Sequence, residues 1–140
     1  MIVPDVNVLI YAHDDTSEVY EKARNWWQET LNQGAEVGIP WVTVLGFIRI
    51  TTNPRLRGRL TVAAAINYTK EWLTVPSVRI LPPGERHGAI LFELLEKLGT
   101  GGNLTTDAHL ATLAIEYRAE LVSCDTDFAR FPNLRWRKPF

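Results

Sequence analysis

An α/β fold, a short parallel sheet flanked by helices on both faces, is what this chain predicts, on two observations. The segments "MIV", "EVGIP", "SVRIL" and "LVSC" are apolar and too brief for helices, so they read as short buried strands. Between them run longer stretches whose apolar residues recur at helical spacing. Strands alternating with helices need crossover connections, and crossovers produce parallel pairing.

The opening "MIV" is a strand that closes at "PD", and "VNVLIYA" starts a helix directly behind it. "SEVYEKARNWWQETLNQG" is the next helix: Ser17 is placed to cap it, Glu18 falls in its first turn and Gly34 closes it. Val19, Ala23, Trp26, Trp27 and Leu31 form its apolar face. "EVGIP" is a strand ending at Pro40. "WVTVLGFIRITT" fits helix or strand by periodicity alone and is assigned to a helix that stops before "NPR", because the residue ahead of a proline resists helical angles. "TVAAAINYTKEWLT" is a helix and "SVRIL" a strand. In "ERHGAILFELLEKLG", Ile90, Leu91, Leu94, Leu95 and Leu98 mark a helix that Gly99 ends. After the loop "TGGN", Thr106 is read as the cap of the helix in "TTDAHLATLAIEYRAE", with Ala108, Ala111, Ala114 and Ile115 as a slim packing face. "LVSC" is a buried strand, "DTDFARF" a short helical turn and "NLRWRKP" a last strand on the sheet edge. Trp26, Trp27 and Tyr20 are read as core or dimer contacts rather than base-stacking platforms.

A length of 140 residues fits one domain spanning 1–140, large enough to bury roughly two-thirds of its unfolded surface. The net charge of −1 gives no overall pull toward nucleic acid, so a polyanion must be held by a local patch or through a metal ion. A single cysteine, Cys124, excludes an internal disulfide framework and a multi-cysteine zinc site, and suits a reducing, cytoplasmic setting. The opening "MIVP" is too short for a signal peptide and no apolar run approaches a membrane span, so a soluble protein is expected.

Three segments place an aspartate in similar surroundings. Asp5 follows the first strand, Asp125 follows "LVSC" with Asp127 two residues on, and Asp107 lies in the first turn of a helix behind a glycine-rich loop. Taken singly, each suits a helix N-cap and the positive end of a helix dipole. In an open parallel sheet, however, the carboxyl ends of the strands share one edge, and ligands bind in the crevice outside it. Like charges crowded there raise one another's pKa unless a cation fills the gap. A hard divalent cation suits such ligands, and at a phosphodiester it activates water and offsets charge on the leaving oxygen. Asn7 has an amide able to fix a carboxylate or phosphate, and reads equally as a polar helix-start residue; Ser123 reads more simply as the end of a strand.

Together these stretches resemble the PIN-domain family, in particular the VapC-type toxins of bacterial toxin–antitoxin pairs. The resemblance is carried by "VPDVNVLIYA", "WVTVLGFIRITTNPR", "TDAHLATLAIE" and "LVSCDTDFARFPNLRW", in that order over nearly the whole chain. It implies a single PIN domain acting as a magnesium-dependent endoribonuclease, with manganese as the alternative ion, usually a homodimer and silenced by a cognate antitoxin. By that resemblance Asp5, Asp107 and Asp125 are the metal-binding acids, and Asp127 is an additional catalytic or outer member. Many PIN domains carry a glutamate where this chain has Gly46, which leaves a second metal position without its usual ligand. Glu18 and Glu116 are not placed to replace it; His13 and His109 read first as surface or packing residues, with a direction toward the site as the alternative.

Arg49, Arg55, Arg57 and Arg59 fall within "RITTNPRLRGRL" and suit either an RNA backbone, a solvated loop or an acidic antitoxin segment. The tail "RWRKPF" adds Arg135, Arg137 and Lys138 with the same ambiguity. Aspartate-based phosphatase chemistry is disfavoured, because Asn7 stands where the second acid of a D-x-D pair belongs, and "DTDF" lacks the pattern of a calcium-binding loop. The non-enzymatic alternative is a PIN-fold module that binds RNA or protein without cutting.

Overall fold

The computed structural model describes residues 1–140. The strands are β1 (Ile2–Pro4), β2 (Val37–Ile39), β3 (Val78–Ile80), β4 (Glu120–Val122) and β5 (Trp136–Arg137). The helices are α1 (Val6–His13), α2 (Tyr20–Asn32), α3 (Trp41–Thr51), α4 (Val62–Thr74), α5 (His87–Leu98) and α6 (Leu104–Glu116), with a 3-10 turn over Thr126–Arg130. Every strand pair is parallel and the order across the sheet is β3-β2-β1-β4-β5. From β1 the chain builds outward on one side through β2 and β3, then returns to β1's other side with β4. The crevice outside the carboxyl ends of β1 and β4 is therefore the sheet's topological switch point.

The alternation of side chains along each strand divides the interior in two. On one face Val37, Ile39 and Val78 pack under α1 to α4, around Leu9, Trp27, Phe47 and Trp72. On the other, Val3 and Leu121 meet α5, α6 and the 3-10 turn, around Leu94, Ala111, Phe128 and Phe131. The fold is thus the expected α/β layer structure with helices on both faces. Gly38 is required by packing: a Cβ there would stand 2.4 Å from Leu81 Cδ1, and Leu81 is itself 1% exposed. No helix is long and apolar enough to cross a membrane.

Two helix starts differ from the sequence reading. The second helix begins at Tyr20, not at a Ser17 cap. Asp14 Oδ1 accepts from Thr16 N and Oγ1 in a tight turn, and Ser17 Oγ accepts from Val19 N inside the connection. Asx and hydroxyl turns of this kind use up the residues that look like caps. The sixth helix begins at Leu104, so Thr106 lies within its first turn and does not cap it. Gly102, at φ +56°, turns the chain, and Leu104 N and Thr105 N donate back to the carbonyls of Gly101 and Gly102. Burial of Leu104 accounts for the earlier start.

Candidate active site

Asp5 stands at the switch point, one residue beyond β1 and at the N-cap of α1. It is only 8% exposed, and both oxygens are held. Oδ1 accepts from Val6 N at 2.7 Å; Oδ2 accepts from Ser123 Oγ at 2.6 Å and from Asn7 Nδ2 at 2.9 Å. Ser123, fully buried just past β4, also accepts from Asn7 Nδ2 at 3.2 Å and from Asp125 N at 3.0 Å. One donor bond and two accepted bonds exhaust that hydroxyl. Asn7 Oδ1 accepts from Cys124 N at 3.3 Å, and Asp125 Oδ1 accepts from Asp127 N at 2.8 Å. Ser123 is therefore the junction between the two strand ends, not merely a strand terminus, and Asn7 fixes the Asp5 carboxylate.

Asp107 approaches from α6. It shares a shallow cavity of about 80 Å³ with Asp5, Thr106 and the first turn of α3 at Val42 and Thr43. The charges in this crevice feel one another. Asp107 is raised from 3.8 to about 6, first by burial and then by the carboxylates of Asp5, Asp125 and Asp127. Burial also pushes Asp5 upward, against the bonds from Ser123 and Val6, and the Asp125 charge adds to the rise. Asp5 and Asp107 thus line one cavity, and the charges of Asp125 and Asp127 are felt there.

As they stand, no three His, Cys, Asp or Glu side chains come close enough together to grip an ion between them. The donors are all hard oxygens and the local charge is in excess. Both features suit a magnesium-type ion that keeps several waters and takes only one or two carboxylates directly.

At Gly46, where the family's acid is missing, a Cβ would lie 3.3 Å from Val6 Cγ2, so a larger residue would require Val6 to give by a few tenths of an ångström. Other polar groups stay outside the acid cluster. His13 Nδ1 bonds the Leu9 carbonyl at 2.8 Å and Trp72 Nε1 donates to its Nε2 at 3.3 Å, fixing a neutral ring whose pKa burial lowers. His109 bonds His87 at 2.9 Å, Glu116 accepts from Gly84 N and Arg86 N, and Glu18 is exposed in the α1–α2 connection. The largest groove, about 410 Å³ beside His13, Trp27 and Trp72, lies apart from the acids.

Ser123→Ala removes a donor to Asp5 and the acceptor for Asp125 N. Affinity of the acid edge for a divalent ion should fall by roughly 10–100-fold, as for loss of groups that orient a ligand. A thermal melt should show a loss of about 1–2 kcal/mol; unchanged affinity would deny the junction its role.

An all-parallel sheet with carboxylates gathered outside its switch point defines an α/β domain with an acidic site. The PIN domain signature is matched over residues 2–134. Ribonuclease VapC33 of Mycobacterium tuberculosis is 46% identical over 140 residues, spanning 99% of this chain and 98% of that one. Ribonuclease VapC37 of the same organism is 44% identical over 140 residues, spanning 99% and 97%. VapBC2 from Rickettsia felis, solved bound to a promoter DNA fragment, shares the fold at a TM-score of 0.70 and 21% identity, with 99% and 98% of the two chains covered. The chain belongs to the PIN-domain family.

Proposed function

We propose that the chain is an endoribonuclease, the toxin of a VapBC-type toxin–antitoxin pair, and that it hydrolyses RNA phosphodiester bonds at the acid edge with a divalent ion. The ribonuclease relatives match almost end to end. The single observation that carries the site is geometric: Ser123 ties Asp5, just past β1, to Asp125, just past β4, and Asp107 of α6 lines the same cavity as Asp5. Magnesium, or manganese in its place, would be held among Asp5, Asp107 and Asp125, one or two of them directly and the rest through its waters, with Asp127 outside them. When bound, the ion lowers the pKa of an attacking water and offsets charge on phosphate. The chain's own groups do the positioning. Ser123 and Asn7 lock the Asp5 carboxylate, and the Asp125 backbone is tied to Ser123. A homodimer and a cognate antitoxin are the remaining parts of the proposal; exposed Val62 and Phe92 leave apolar surface for such partners.

Incubation of the full chain with mixed cellular RNA, in magnesium, manganese and a chelator, tests this reading. Discrete metal-dependent products support it. A folded chain that binds RNA and cuts none under any metal would place it among non-cutting PIN modules.

Stability should follow the same charges. Because the folded pKa of Asp107 is about 6 against an ordinary 3.8, the folded chain holds a proton that the unfolded chain gives up. Stability is then full below about pH 4, falls as pH rises and reaches its floor above about 6. For a half-exposed carboxyl, solvent screening reduces the effect to on the order of 1 kcal/mol. Magnesium at ten times its Kd should add about 1.4 kcal/mol at pH 7. Thermal scans against pH, with and without magnesium, check both signs; indifference to the ion would count against a shared site.

A further inference from the structure

The acid edge repels the substrate it is proposed to cut, and a chain of net charge −1 offers no general attraction to offset this. The offset must be local. We propose that α3 and the loop behind it form a track for single-stranded RNA, with Arg49, Arg55, Arg57 and Arg59 taking backbone phosphates and Trp41 stacking a base. This rests on the ribonuclease reading and extends it to how the substrate is held.

Four observations converge. First, residues 41–62 contain these arginines and no acid. Second, the arginines are all exposed, and none of their guanidinium groups takes part in a salt bridge or donates a hydrogen bond within the chain. The tail and sheet-edge arginines differ: Arg137 pairs with Glu120, Arg135 donates to the Arg118 carbonyl and Arg79 pairs with Glu36. Third, the loop has a defined shape. Leu60 N donates to the Thr51 carbonyl, Leu56 N to Asn53, and Arg55 N to Asn53 Oδ1. Gly58, at φ +76°, lies so close to Thr16 that a Cβ would stand 3.1 Å from its Cγ2. Guanidinium groups on a shaped loop lose less freedom when they take up phosphate. Fourth, α3 links this loop to the acids. Val42 and Thr43 line the cavity of Asp5 and Asp107, and Arg49 lies two helical turns further on, roughly 10 Å along the axis.

Trp41 begins the same helix beside the cavity and is 57% exposed, and Leu45 and Arg49 follow it at intervals of four residues on one stripe. A cationic path with an exposed indole is the combination by which proteins hold single strands without reading sequence. Uniformly spaced charge favours RNA over an acidic peptide, whose carboxylates would also meet the repulsion of the acid edge with no catalytic use for it.

The test measures binding rather than cleavage. Fluorescence anisotropy of a labelled random 20-nucleotide single-stranded RNA is followed from 50 to 300 mM salt with the full chain carrying Asp5→Asn, so that the probe stays intact. Adding Arg55→Ala, Arg57→Ala and Arg59→Ala should weaken binding at least tenfold and flatten the slope of log K against log salt by about 2. The corresponding lysine triple should keep most of the slope, and Trp41→Ala should cost roughly tenfold where Trp41→Phe restores it. Circular dichroism melts confirm that each variant is folded. Unchanged affinity and slope in the alanine triple would overturn the track. So would unchanged RNA binding accompanied by loss of binding to an acidic peptide or by loss of self-association. If the wild-type chain binds RNA through these residues and never cuts it, the track stands and the nuclease reading falls.

Discussion

Asp5→Asn should abolish metal-dependent RNA cleavage, with a loss of at least about 100-fold, while the chain stays folded. The lower bound follows from outer-shell groups alone, whose removal costs 10–100-fold; Asp5 is the carboxylate those groups serve. The fold should tolerate the change because two terms oppose each other. Asparagine is as good an N-cap as aspartate and keeps the acceptor for Val6 N. Removing a buried charge whose pKa burial and Asp125 have raised relieves strain in the neutral-pH protein. Against this, the new amide faces donors on Asn7 and Ser123, and both bonds to Oδ2 are lost. The melting temperature should therefore move by no more than about 5 °C, a shift of about 1 kcal/mol in a domain of this size. A variant that cuts RNA as well as the parent would remove Asp5 from the chemistry. A variant that fails to fold leaves the question to Asp107→Asn, whose side chain is less buried and should give the same loss.

Phe47→Ala should be the most destabilising single truncation, costing about 3–5 kcal/mol of a total in the range of 5–15. Phe47 is fully buried where α1, α3 and α4 meet over the sheet. Its ring lies 4.6 Å from that of Trp72 and 5.5 Å from His13, both edge-on. Truncation leaves an aromatic-sized void and loosens the neutral His13 held between Leu9 and Trp72. Because α1 starts at Asp5 and α3 lines the acid cavity, activity near the midpoint of unfolding should fall with stability. Urea unfolding with an unchanged m-value checks the size; a loss under 1 kcal/mol would mean that the cluster collapses around the gap.

The strands were legible because short apolar segments bounded by proline, glycine or acid have few other uses. "MIV", "EVGIP", "SVRIL" and "LVSC" each contain or overlap an observed strand. Helix starts were less legible. Ser17 and Thr106 look like caps, yet Ser17 serves a turn and Thr106 lies inside α6, because side-chain-to-backbone bonds compete for the same residue types. At the site, the nearness of Asp5 and Asp125 followed from the parallel-sheet rule, since each follows a strand end; Asp107, on α6, reaches the cavity of Asp5 through the packing of that helix. The role of Ser123 did not. Its junction is made across a separation of 118 residues to Asp5, and no local pattern distinguishes it from a strand-terminal serine. Gly46 was visible as a missing acid, but its 3.3 Å approach to Val6 is a property of how α1 packs on α3 and had no signal in the sequence.

The account rests on the acids at the switch point acting as one site for a cation, and the carboxyl group of Asp107 reports on that directly. Its protonation should be followed by carbon-detected NMR from pH 3 to 8, without and with magnesium. A midpoint near 6 in the metal-free chain, dropping by about one unit or more when the ion is added, is the predicted result. A midpoint at the ordinary carboxylate value of 3.8, indifferent to magnesium, would contradict it.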